Sequence, residues 1–173
     1  NIEKVYLTAS GGPFHKTPLN NFQKITIKKA LNHPNWKMGK KISIDSATLI
    51  NKIFEVIEAK NIFNIPYDKI KILIHPKSYV HAIIKFKNGL SKFLIHKPDM
   101  KIPIYNSIFY KSCKSFKTDS LDFKILNNLN LKEVETNKFP LVGLLKKLPN
   151  NPSLYETVLI TINDYLVYKF LDK

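Results

Sequence analysis

Apolar and polar positions change period along this chain, and each change marks an element. Residues 2–8 read as a strand. Lys41 to Ile44 alternate polar and apolar, the period of a half-buried strand. Ile50, Ile53, Phe54 and Ile57 then recur at helical spacing and predict a helix over 47–63. Residues 68–97 read as antiparallel strands: Ile70 to Ile74, then Tyr79 to Phe86, with Val80, Ala82, Ile84 and Phe86 alternating. Asn88-Gly89 is a hairpin signal, and Leu90 to His96 is the return strand.

The rest is more helical. Phe22, Ile25, Ile27, Ala30 and Leu31 predict a short helix inside a long excursion over 15–40. Another is expected from Tyr105 to Tyr110, then a polar loop from Lys111 to Ser120 and an irregular stretch over 121–138 with one short extended piece. Phe139-Pro140 opens a short helix through Lys147, and Leu148 to Pro152 is a connector. Ser153 and Glu156 form a capping-box pattern. Val158, Leu159, Ile162, Tyr165, Leu166 and Phe170 follow as the core face of a last helix. The expected class is α+β, with a mixed or antiparallel sheet, helices and a flap loop, followed by a C-terminal helical region.

Composition narrows the class. With 44% apolar residues the chain is expected to be globular. No apolar run reaches the ~18 residues of a membrane span, so no membrane is expected as a partner. The single Cys113 excludes an internal disulfide and a cysteine-built zinc site. The net charge of +15 opens the question of nucleic acid, but all 28 basic residues are Lys and they are scattered. Base and phosphate recognition usually recruits the planar fork of Arg. A coding bias toward Lys, Asn and Ile explains the charge without a nucleic-acid partner.

The chemistry concentrates between Lys41 and Glu55. Asp45 and Ser46 are good N-cap residues after the Lys41–Ile44 strand. Thr48, Asn51, Lys52 and Glu55 follow the helical period on the face opposite the apolar one. An amide, an ammonium and a carboxylate thus project from the first turns of one helix, whose free N–H groups suit an anion such as phosphate. Glu55 could hold a divalent metal or a substrate hydroxyl. The competing reading is an ordinary amphipathic helix with a solvated face. Upstream, Ser10-Gly11-Gly12-Pro13-Phe14 is a turn where the chain can approach a ligand closely, or a plain surface turn. Trp36 and Met38 lie in a loop between Pro34 and Gly39, which either closes as a lid or pins itself to the core. His33 could donate to an anionic ligand. His75, His81 and His96 lack a recognisable metal-ligand spacing and read as ordinary strand polar groups.

These blocks carry a resemblance. Ser10-Gly11-Gly12-Pro13-Phe14, His33-Pro34-Asn35-Trp36-x-Met38-Gly39-x-Lys41-Ile42-Ser43, Asp45-Ser46-Ala47-Thr48 and Asn51-Lys52-x-x-Glu55 resemble the 1-deoxy-D-xylulose 5-phosphate reductoisomerase family. So do His75-Pro76-x-Ser78 and Lys97-Pro98-Asp99-Met100. The match runs from residue 1 to about residue 125 and weakens beyond.

The resemblance implies that Ser10, Ser46, Asn51 and Lys52 hold the substrate phosphate and that His33 binds substrate under a flap carrying Trp36 and Met38. It implies that Gly39 and Met100 lie by the nicotinamide of NADPH. Glu55 would contact substrate and be one ligand of Mg²⁺ or Mn²⁺. The implied reaction is a metal-assisted rearrangement of the ketose phosphate and its NADPH-dependent reduction to 2-C-methyl-D-erythritol 4-phosphate, in non-mevalonate isoprenoid biosynthesis. The alternative from another class is a non-enzymatic anion- or nucleic-acid-binding module using the lysines. The implied organisation is a catalytic-domain portion over 1–120 with the flap at 11–40, a linker over 121–138, and the start of a C-terminal helical domain over 139–173. A homodimer is implied, with the strand ribbon packing on the 47–63 helix or on a second subunit. The pathway and the residue bias lead to an expected location in an apicoplast-like plastid stroma, with bacterial cytoplasm as the alternative.

Two departures follow. No Gly-rich dinucleotide fingerprint occurs, and the family's acidic Asp-Ser-Glu cluster is absent. Both are expected upstream of Asn1, so residues 1–173 alone are expected to be inactive.

Overall fold

A computed structural model describes residues 1–34, 38–111 and 115–172. Trp36, on which half of the flap expectation rests, lies outside the described residues. Strand β1 (Ile2–Ala9) leads through a 3-10 turn (Leu19–Lys24) and α1 (Ile27–Ala30) into α2 (Lys40–Thr48) and α3 (Ile50–Phe63). Strands β2 (Ile70–Ile74), β3 (Val80–Phe86) and β4 (Ser91–Ile95) follow. Then come α4 (Lys101–Ile108), α5 (Phe123–Leu126), the short β5 (Lys132–Glu133), a 3-10 segment (Pro140–Lys146) and α6 (Tyr155–Asp172).

The five strands form one mixed sheet in the order β4-β3-β1-β2-β5. β2 runs parallel to β1, with Val5 opposite Ile70 and Ala9 opposite Ile74. It is therefore separated from the β3–β4 ribbon by β1, against the run of antiparallel strands expected over 68–97, and its antiparallel neighbour is β5. The α2–α3 pair is the crossover that parallel neighbours require. β3 and β4 are antiparallel, and Gly89 closes their turn at φ +88°.

Helix α3 is where periodicity and packing agree. Ile50, Ile53, Val56 and Ile57 are buried against Val5, Ile70, Ile72 and Ile74 of the sheet. Phe139 and Leu141, Val142 and Leu145 of the 3-10 segment Pro140–Lys146 close the same core. A smaller core joins Phe14, Ala30, Ile44, Ala47 and Val167 and thereby unites the 15–40 excursion, α2 and α6.

Three expectations need correction. Lys41–Ile44 is helical, inside α2. Ile42 is exposed, whereas Ser43 and Asp45 are almost fully buried, so the alternation does not separate inside from outside. Those polar side chains have partners, Ser43 Oγ donating to Gly39 O at 2.9 Å and Asp45 pairing with Lys41 and accepting from Asn163 of α6. Asp45 and Ser46 therefore do not cap a helix start. The junction residue is Leu49, in the left-handed region at φ +61°, and Thr48 Oγ1 accepts from Ile50 N–H at 3.4 Å.

The third correction concerns α6. Val158, Ile162, Tyr165, Leu166 and Phe170 are exposed, and of the expected face only Leu159 joins the main core. The buried positions are Glu156, Asn163 and Val167. Glu156 is held by Tyr67 Oη at 3.0 Å and Ser153 Oγ at 2.9 Å, and Asn163 by Asp45. Satisfied polar groups have taken the inner stripe that apolar spacing assigned elsewhere.

Candidate functional site

The parallel pair β1–β2 and its crossover bring three loops together at the C-terminal end of β1. The chain leaves β1 at Ser10 and turns through Gly11 and Gly12, at φ +88° and +64°. A Cβ on Gly12 would stand 2.5 Å from the carbonyl oxygen of Ser46. Glycine there lets the loop lie directly on α2, so Ser10 and Ser46 are brought to one place by backbone contact. Ser10 Oγ accepts from Gly12 N–H at 3.2 Å and lies 3.1 Å from His33 Nε2.

From α2, the left-handed Leu49 turns the chain into α3, whose first turns present Asn51, Lys52 and Glu55. A buried leucine held at positive φ costs on the order of 1–3 kcal/mol, a strain that clusters at functional sites. Asn51 Oδ1 is buried with no hydrogen-bond partner. Lys52 Nζ, largely buried, pairs with the half-exposed Glu55 Oε2 at 2.7 Å.

These residues line one cleft of about 630 Å³. Ser10, His33, Met38, Gly39, Ser46, Asn51, Lys52, Glu55 and Met100 all face it. Every site residue expected from the sequence and described here is thus in one place. The cleft offers hydroxyls, an amide and an ammonium, with the Glu55 carboxylate paired to that ammonium.

Two further lining residues, Ser78 and His81, were not assigned by the sequence reading. Ser78 ends the His75-Pro76-x-Ser78 block at φ +55° and is buried. That block carried a signal that no role had used. His81 comes to the rim because β1 and β3 pair with Leu7 opposite Ala82. Its Nε2–H donates to His96 O at 3.2 Å, and the two rings stack at 3.6 Å with 11° between planes. Burial first, then repulsion from His96, pushes His81 down to about 4, against the opposing pull of the His96 carbonyl. Burial also lowers His33. His75 is fully buried away from the cleft, its Nδ1 donating to Leu129 O, and burial lowers it too.

A divalent metal is a separate matter. Among the described residues no group of three or more His, Cys, Asp or Glu side chains comes together. Glu55 offers one carboxylate, already paired with Lys52, and a hard divalent cation takes six or more oxygen ligands. The residues present do not make a metal site by themselves.

Fold and cleft together define an α+β domain with a polar, cation-bearing cleft at the end of a βαβ crossover. Residues 1–63 match the profile of the 1-deoxy-D-xylulose 5-phosphate reductoisomerase C-terminal domain, and residues 95–173 that of the DXP reductoisomerase C-terminal domain. A 1-deoxy-D-xylulose 5-phosphate reductoisomerase of Pelagibacter ubique is 56% identical over 172 residues, covering 99% of this chain and 44% of that protein. One from a Sulfurihydrogenibium species is 45% identical, covering 99% of this chain and 46% of that protein. A crystal structure of DOX-P reductoisomerase with NADPH, fosmidomycin and magnesium superposes with a TM-score of 0.91 at 36% identity, over 99% of this chain and 42% of that one. The enzyme from Zymomonas mobilis in complex with NADPH gives 0.88 at 34% identity, over 99% and 44%.

The chain belongs to the 1-deoxy-D-xylulose 5-phosphate reductoisomerase family and spans less than half the length of these relatives. The relatives are bacterial, which argues against the plastid expectation. Lys, Asn and Ile enrichment does not distinguish a plastid from a bacterium.

Proposed function

We propose that this chain is the phosphate-binding and partly metal-binding portion of an NADPH- and divalent-metal-dependent reductoisomerase. The enzyme converts 1-deoxy-D-xylulose 5-phosphate to 2-C-methyl-D-erythritol 4-phosphate. The observation that carries this reading is the convergence of Ser10, Ser46, Asn51 and Lys52 on one cleft with Glu55 beside them.

Ser10 and Ser46 donate hydroxyl hydrogens to phosphate oxygens, and Asn51 offers its amide N–H groups. Lys52 supplies the charge. Lys52 pairs with Glu55. A dianionic phosphate competes for that ammonium, so substrate binding frees the Glu55 carboxylate for its own role. His33, whose pKa burial lowers and which is adjacent to Ser10, orients the substrate by hydrogen bonding. Met38, Gly39 and Met100 line the same cleft, where Gly39 and Met100 would lie beside the nicotinamide. Fixing the phosphate places the reacting carbons through binding energy remote from the chemistry. When bound, NADPH supplies hydride and the metal supplies Lewis acidity.

The remaining metal ligands and the cofactor domain come from outside residues 1–173, so the isolated chain does not turn over. The enzyme acts as a homodimer in the bacterial cytoplasm. The exposed β4 edge, with Phe93 and Leu94 facing solvent, supports the dimer.

Replacing Lys52 by Met in the full-length enzyme tests the reading. A charge-assisted contact to phosphate is worth roughly 1.5–3 kcal/mol, so KM for the sugar phosphate rises about 10- to 100-fold. KM for NADPH stays near that of the parent. Equal effects on both constants would contradict a phosphate role.

A further inference from the structure

Beside the cleft-facing stripe of α2, formed by Ile42 and Ser46, runs a second stripe of Lys41 and Asp45 that the proposed reaction does not use. Asp45 is only 1% exposed. A carboxylate so buried is costly unless fully partnered. Its Oδ2 lies 2.7 Å from Lys41 Nζ, and its Oδ1 accepts from Asn163 Nδ2 of α6 at 2.8 Å. Lys41 Nζ also meets Asp164 Oδ1 of α6 at 2.8 Å and sits 5.4 Å above the Phe54 ring of α3. One ammonium and one carboxylate therefore fasten three helices to each other.

The next residue after Asp45 is Ser46, whose carbonyl is the surface on which Gly12 and the Ser10 loop rest. Val167 of α6 packs on Ile44 and Ala47 of the same helix. α2 is thus seated on α6 by apolar contact, and the Asp45–Asn163 bond fixes its rotation. Such a bond between a charged acceptor and an amide is directional and strong away from water. A small roll of α2 would move the Ser46 hydroxyl and the Gly12 contact together.

We propose that Asn163 and Asp164 of α6 are positioning residues, which set the placement of Ser46 in the anion-binding cleft by holding Asp45 and Lys41 of α2. The proposal rests on the phosphate reading of that cleft. It gives α6, which lies outside the cleft, a role in substrate affinity.

Calorimetric titration of the full-length protein with inorganic phosphate tests it, with KM and kcat for the sugar phosphate measured beside it. Asn163→Ala removes the donor to Asp45. Asn163→Asp, at pH 8, sets two carboxylates against each other. Phosphate affinity is expected to fall about fivefold or more in each, and KM to rise in step while kcat stays within about threefold. The exchange Asp45→Asn with Asn163→Asp keeps one amide and one carboxylate in the pair, and restores affinity to within about threefold. A purely stabilising role would lower the melting temperature and leave the phosphate constant of the folded protein alone.

Folded Asn163→Ala with parental phosphate affinity overturns the proposal. A parent that binds phosphate but does not turn over the sugar phosphate overturns the functional reading, while the variant affinities still decide the role of α6. A parent that binds no phosphate overturns both.

Discussion

At the scale of single residues, the site is built by positions whose character depends on very close neighbours. Gly12 is one. An alanine there would meet the Ser46 carbonyl at 2.5 Å and would also have to hold φ at +64°. Gly12→Ala is expected to destabilise the fold by about 1–3 kcal/mol and to weaken phosphate binding. Denaturant unfolding and phosphate titration of the variant read the two effects separately. His81 is another. Its folded value of about 4 lies below the ordinary 6.5, so between these values the unfolded chain binds a proton that the folded one refuses. This contribution to stability is complete above 6.5 and lost as pH falls toward 4. The lowered His33 and His75 act in the same direction. NMR titration is expected to find the His81 ring neutral at pH 5, and a ring charged there would contradict the packed arrangement with His96. That Ser10, Asn51, Lys52 and Glu55 belong together was legible from the resemblance of their blocks, since spacing alone also fits a solvated helix face, and the structure places all four on one cleft. His81 was not, since only the β1–β3 register brings it to the cleft.

At the scale of elements, α3 was legible and α2 was not. In α3 apolar spacing and burial coincide, and Ile53 and Val56 are fully enclosed. Ile53→Ala is expected to cost about 2–5 kcal/mol and to broaden or abolish cooperative unfolding, followed by circular dichroism in denaturant. In α2 the buried positions are largely polar, so a hydrophobic pattern points the wrong way. Ser43 and Asp45 go inside because partners wait for them: Gly39 O for Ser43, Lys41 and Asn163 for Asp45. Those partners lie one turn away and 118 residues away, and the second distance is invisible to any local period. The same bond explains α6, where Asn163 occupies the inner stripe and Leu166 and Phe170 remain outside. The α2–α3 junction hid for a related reason. Leu49 at positive φ breaks the helix without glycine, proline or a conventional cap residue.

At the scale of the whole molecule, the mixed sheet was legible as a class but not as an order. Alternation in β2, β3 and β4 announces strands, and the Asn88-Gly89 turn pairs the last two. Only the long α2–α3 crossover makes β2 parallel to β1. That crossover is also what brings the β1 exit loop, the end of α2 and the start of α3 to one cleft. In the proposed function this cleft binds the sugar phosphate, and Glu55 contributes one ligand to a metal whose other ligands lie outside the chain.

The most direct test follows NADPH absorbance with 1-deoxy-D-xylulose 5-phosphate and Mg²⁺, comparing full-length protein with its Glu55→Gln variant and with isolated residues 1–173. Oxidation is expected from the full-length protein, with a drop of about a hundredfold or more in the variant, and none from the isolated chain. Turnover by Glu55→Gln at the parental rate, or sustained turnover by residues 1–173 alone, would contradict it.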